Sequence, residues 1–172
     1  SSLVKNPHPT VEAASFELTT EEEIVIRGDL ATPSEPGAPV VVCVHGFKGF
    51  KDWGFWPQVS RGLTDSGYAC LRFNFSHSGI GPDRESLTET DLFETGTYSR
   101  EAEDLKLVLR ALAGNRLSGA EEVDANRIGL LAHSRGSVSS LAVAASQEFP
   151  VRSVVLWNPV SSVLWWDEKA RK

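Results

Sequence analysis

The 172-residue sequence has no methionine and only two cysteines, Cys43 and Cys70. Without a methionine, Ser1 is expected to follow processing or to sit at an artificial boundary. Each cysteine lies inside an apolar, strand-like run, where a buried free thiol is the expected state. Two cysteines so placed do not make a disulfide framework, and this usage fits a reducing, cytoplasmic setting. No apolar run approaches the ~20 residues of a membrane-spanning helix, and the N-terminus lacks a signal-peptide core. Positive charge is sparse as well. The formal net charge is −6 with Lys and Arg scattered, so neither nucleic acid nor a membrane is an expected partner. No Cys/His cluster has metal-ligand spacing, and no metal or cofactor is expected. The only histidines are His8, His45, His77 and His133, all in the first 133 positions.

What remains is an ordinary globular composition, 41% hydrophobic and 23% charged, enough for one domain with a real core. After an irregular lead-in through Pro7 and Pro9, two alternating β-rich runs flank a polar Thr-Glu-Glu-Glu turn and predict an antiparallel hairpin. Val40–Val44 is a continuous apolar run, as in a strand buried on both faces. A short helix is expected from Pro57 to Gly67, and a further strand from Tyr68 to Phe75. Residues 82–98 look like a polar loop. Ser99 can then cap a helix that carries Leu105, Val108, Leu109 and Leu112 on one face and ends near Gly114. A strand over Ile128–Ala132, a small-residue helix and a strand over Val151–Trp157 complete the series. Strands alternating with helices predict a three-layer α/β domain on a mostly parallel sheet.

The segment Arg127–Ser137 organises this pattern. Its strand runs through His133-Ser134-Arg135-Gly136 directly into a helix. A serine at the apex of such a turn is held in a tight conformation with its hydroxyl above the sheet. Its neighbours two before and two after must be small, and here they are Ala132 and Gly136. The helix start aims free N–H groups at any oxyanion formed there. A helix-capping serine would look similar in isolation, so a second signal matters. That signal is His45-Gly46-Phe47-Lys48-Gly49, placed where ligands bind in open α/β sheets, at the carboxyl end of a buried strand. Gly46 lets the backbone turn and present the Phe47 N–H; with the Arg135 N–H it would form a two-donor oxyanion hole.

These features together resemble the α/β-hydrolase superfamily over nearly the whole chain. The strand Leu71-Arg-Phe-Asn-Phe running into Ser76-His-Ser-Gly resembles the Phe-Asp-Phe-x-Gly-His-Gly segment of bacterial cinnamoyl/feruloyl-type esterases and the related serine peptidase branch. The resemblance implies that Ser134 is the nucleophile, that Phe47 and Arg135 supply oxyanion-hole amides, and that His45 and His77 are structural; His45, Gly46, His133 and Gly136 are expected to support the site. Three positions depart from that pattern: Asn74 stands for a frequent Asp, Ser76 for a Gly, and Arg135 for the commoner Gln, Met or Gly.

In this fold the triad runs nucleophile, acid, histidine along the chain, yet no histidine follows Ser134, and Asp167 and Glu168 are the only carboxylates after Glu148. The expected organisation is a hydrolase core over 1–160 that is incomplete at its C-terminus, with 161–172 starting a cap. Trp165 and Trp166 are expected as cap, pocket wall or core. A further segment or second chain is expected to bring the acid and histidine. The function expected is hydrolysis of a small-molecule carboxylic ester through an acyl-enzyme. Alternatives are a peptidase or thioesterase of the same fold, or a non-catalytic binding module. An Asp nucleophile is excluded, because the turn residue is Ser134.

Overall fold

The computed structural model describes residues 13–162; His8, Trp165, Trp166 and Asp167, and most of the expected cap segment, lie outside them. Strands β1 (Ala13–Thr19) and β2 (Val25–Ala31) form the expected antiparallel hairpin. They are followed by β3 (Ala38–Val44), α1 (Trp56–Asp65), β4 (Ala69–Asn74), α2 (Thr90–Glu94), α3 (Tyr98–Ala113), β5 (Val123–His133), α4 (Gly136–Ser146) and β6 (Val151–Trp157). The six strands make one sheet in the order β1-β2-β4-β3-β5-β6. β2 meets β4 antiparallel, and β4, β3, β5 and β6 run parallel.

Alternation along β3 divides the layers. Val40, Val42 and Val44 face the larger core, which holds Leu105, Val108, Leu109 and Leu112 of α3 and Val143 of α4. Val41 and Cys43 face the opposite side, where Trp56, Val59 and Leu63 of α1 pack with Cys70 and Leu131. Helices therefore cover both faces of the sheet, the three-layer arrangement that its apolar runs require. Cys43 and Cys70 are buried and free, their sulfurs 3.6 Å apart. Among the described residues, no helix is long and apolar enough to cross a membrane.

Three details differ from the sequence expectation. The cap of α3 is Thr97, whose extended backbone lets Oγ1 accept the Arg100 N–H at 3.2 Å, so Ser99 falls inside the first turn. Both residues are competent caps, and the sequence alone does not separate them. The loop at 82–98 contains α2, which presents Phe93 to the Phe47 ring, their centroids 5.4 Å apart. Strand β5 begins five residues early, at Val123, because Ala38 and Pro39 pair with Val123 and Asp124 before a register shift brings Val40 opposite Ile128. That irregularity holds Asp124, Asn126 and Arg127, which hide it from an apolar-run reading.

Candidate active site

Val44 of β3 lies opposite Ala132 of β5, so the loops leaving both strands start side by side. The chain passes through the left-handed region at Ser134, with φ +50°. A non-glycine residue pays a steric penalty there and persists only where its surroundings hold it. Its N–H donates to the Trp157 carbonyl at 3.0 Å, and its own carbonyl accepts the Ser137 N–H at 3.0 Å. Gly46 presses on the turn from the side: a Cβ there would lie 3.0 Å from Ser134 Cβ, 3.0 Å from the His133 carbonyl and 3.5 Å from the Arg135 nitrogen. Gly136 is tighter still. A Cβ on it would stand 2.5 Å from the His45 carbonyl and 2.7 Å from that of Val44. Its smallness thus serves the approach of α4 to β3, the neighbouring strand, as well as the turn itself. Ala132 is fully buried in the larger core.

The Gly46–Phe47 peptide is fixed by its carbonyl, which takes the His45 ring at 2.9 Å and the Gly49 N–H at 3.1 Å. His45 Nε2 accepts the Phe75 N–H at 3.2 Å, which leaves Nδ1 to carry the proton donated to Gly46. In a trans peptide the N–H points opposite the C=O, so this clamp aims the Phe47 N–H away from His45. Burial drives the His45 pKa down to about 4, only partly offset by the bond to Gly46, so the ring is a neutral strut.

His77 is also spoken for. Arg100 donates to its Nε2 at 3.1 Å, and its Nδ1 bonds Ser76 Oγ at 2.8 Å. Ser76 in turn gives Oγ–H to Asp104 at 3.0 Å and its N–H to the same carboxylate at 2.8 Å. This clasp ties the loop after β4 to α3, and a glycine at position 76 could not make it. Burial pushes the Asp104 carboxyl up to about 6 against the hydrogen bonds from Ser76. The His133 ring, adjoining Ser134 in the chain, packs against Phe55 at 5.2 Å and Trp53 at 6.1 Å between centroids. Burial lowers its pKa.

The Arg135 side chain is pinned by Glu101 (Nε to Oε1, 2.7 Å) and lies over the Tyr98 ring, 4.2 Å from its centroid. Burial raises the Glu101 carboxyl, partly countered by the Arg135 charge. A cavity of about 40 Å³ opens beside these groups, lined in part by Phe47, Phe75, Phe93, Glu101 and Arg135. Sequence reasoning missed Glu101 and Tyr98, because their first-turn positions on α3 read as ordinary solvated helix. The unusual Arg135 was the available signal, since an arginine beside a buried turn needs a partner. Among the described residues, no group of acidic, His or Cys side chains could hold a metal ion.

A mixed, mostly parallel sheet with helices on both faces, and a strained serine between β5 and the following helix, defines an α/β protein with its candidate site at the carboxyl ends of the parallel strands. A sequence profile of the α/β hydrolase family matches residues 41–171, and the chain belongs to that family. No curated protein matches it. Among solved structures it is similar to DcsB in complex with its substrate analogue, with 22% identity and a TM-score of 0.72, over 93% of this chain and 51% of that one. It is similar also to the α/β hydrolase GrgF of Penicillium sp. sh18 (23% identity, TM-score 0.67, 86% of this chain, 46% of that one). A third is the dienelactone hydrolase of Anabaena variabilis (19% identity, TM-score 0.65, 86% of this chain, 64% of that one). The chain thus spans about half to two thirds of the length of these relatives.

Proposed function

We propose that the protein is a serine hydrolase of carboxylic esters that works through an acyl-enzyme on Ser134. The observation that carries this reading is the left-handed backbone of Ser134, strain of the kind found at working sites, with the clamped Gly46–Phe47 peptide against it. Ser134 Oγ attacks the ester carbonyl carbon and gives its proton to a histidine base. The carbonyl oxygen becomes the oxyanion and is stabilised by the Phe47 and Arg135 N–H groups. The alkoxide leaves with that proton, and water releases the acid in a second round. A reducing, cytoplasmic setting fits the buried free thiols.

Among the described residues, no histidine stands as the base. Both ring nitrogens of His45 and of His77 already have partners, and His133 packs among aromatic rings. The reading therefore assigns the acid and the histidine to a segment that this sequence does not contain, in the same or a second chain. The 172-residue chain and the full natural gene product are to be assayed side by side with p-nitrophenyl acetate. Turnover is expected only in the latter, with Ser134→Ala abolishing it. Phe47→Pro, which removes one donor, should cost roughly 2.7–4 kcal/mol of transition-state stabilisation in a protein verified as folded. Equal turnover by the short chain would return the base to its own histidines; none by either would favour the binding module.

A further inference from the structure

Lys51 is a buried lysine, 5% exposed, in the loop that leaves β3. Every polar group it has is tied down. Its N–H donates to Asn74 Oδ1 at 2.7 Å, and its carbonyl accepts Arg72 Nη1 at 3.3 Å. Its ammonium bonds both Asp29 and Asp52, and Asp52 bonds Arg72 in turn. Asp29 takes two further donors, Ser15 Oγ at 2.7 Å and Arg84 at 3.0 Å. Burial works to raise the Asp29 carboxyl, but the hydrogen bonds from Lys51 and Ser15 and the charges of Lys51 and Arg84 outweigh it, and it is held below its usual range.

Asn74 is the hub that makes this possible. Its carbonyl receives the Lys51 N–H while its amide nitrogen donates to the Arg84 carbonyl at 3.2 Å. A carboxylate could accept the first bond and could not make the second, which accounts for Asn where the resembling esterases often have Asp.

A buried ion network of this kind is a poor source of stability, because the desolvation of its charges consumes most of the attraction; apolar residues of like volume often do as well. Its distinguishing property is direction. The near end of the loop is clamped at Gly46 by His45 and Gly49. Lys51 fixes the far end to Asp29 of β2 and to Arg72 and Asn74 of β4. The stretch between these anchors carries the Phe47 amide. We propose that Lys51 is a positioning residue for the oxyanion hole, acting through the backbone of residues 47–50 and never touching substrate. The proposal rests on the Ser134–Phe47 reading above.

Its test is the full natural gene product carrying Lys51→Met, with kcat and KM for p-nitrophenyl acetate measured per titrated active site, beside wild type and Ser134→Ala. Lys51→Met removes the ammonium's bonds to Asp29 and Asp52 and keeps the main-chain bonds to Asn74 and Arg72. A loop shifted by about 1 Å misplaces a donor that matters in the transition state more than in the bound ester. A folded Lys51→Met is therefore expected to lose roughly ten- to a hundredfold in kcat, with KM within about twofold of wild type. A lysine that serves stability alone would leave kcat per active site unchanged, and that result overturns the proposal. So does a loss confined to KM. If Lys51→Met does not fold, Asp52→Ala removes the carboxylate that bonds the Lys51 ammonium and Arg72 and leaves the bonds of Lys51 to Asp29 and Asn74. It is expected to show a smaller fall in kcat at constant KM, and unchanged kcat in this variant is equally fatal. Full turnover in Ser134→Ala would instead bring down the underlying reading.

Discussion

His45 is a structural side chain at the edge of the candidate site. Its ring is neutral in the folded state, where its pKa is about 4, whereas an unfolded histidine has a value near 6.5. The unfolded chain therefore takes up the proton first as pH falls. The contribution of His45 to stability is complete above about pH 6.5 and lost as pH drops towards 4, on the order of 3 kcal/mol. Asp104, pushed up to about 6, works in the opposite sense: its effect is present at low pH and disappears as pH rises through 6. The His45 part is accordingly read as a difference. Wild type should lose more stability between pH 7 and pH 4.5 than His45→Gln in urea unfolding, and parallel pH profiles would contradict the assignment. The place of His45 at the end of a buried strand was legible in the sequence. Its bond to the Gly46 carbonyl was not, because it depends on how the loop folds back.

Between elements, α4 comes close to β3 at Gly136. An added methyl there would meet two backbone carbonyls, which cannot step aside as a side chain could. Gly136→Ala should push the N-terminus of α4, with the Arg135 N–H, away from Gly46. The expected cost is about 1–3 kcal/mol, seen as a lower urea midpoint at unchanged slope; an unshifted midpoint would refute the contact. The long apolar strands and the amphipathic face of α3 were readable because burial on both faces, or on one, leaves a pattern. The short α2, the early start of β5 and the Thr97 cap were hidden for a common reason. Polar residues there are satisfied by particular partners, and those partners become visible only in three dimensions. Lys51, Arg72 and Asp29 belong with them: Arg72 amid the apolar Ala69–Phe73 run was a hint of an inward-facing charge, and the lysine in its Gly/Phe-rich loop was none.

For the molecule as a whole, the sheet order joins the two site loops because β3 and β5 are neighbours, although Gly46 and Ser134 are far apart in sequence. Among the described residues β6 is an edge strand, paired on one side with β5. Its carbonyl at Trp157 nevertheless holds the Ser134 N–H, so the turn depends on the sheet continuing past β5. In the proposed function this turn makes Ser134 the nucleophile. Intact-mass analysis of the full natural gene product after fluorophosphonate treatment tests it most directly. A single covalent adduct is expected in wild type and none in Ser134→Ala. An adduct that persists in that variant would contradict it.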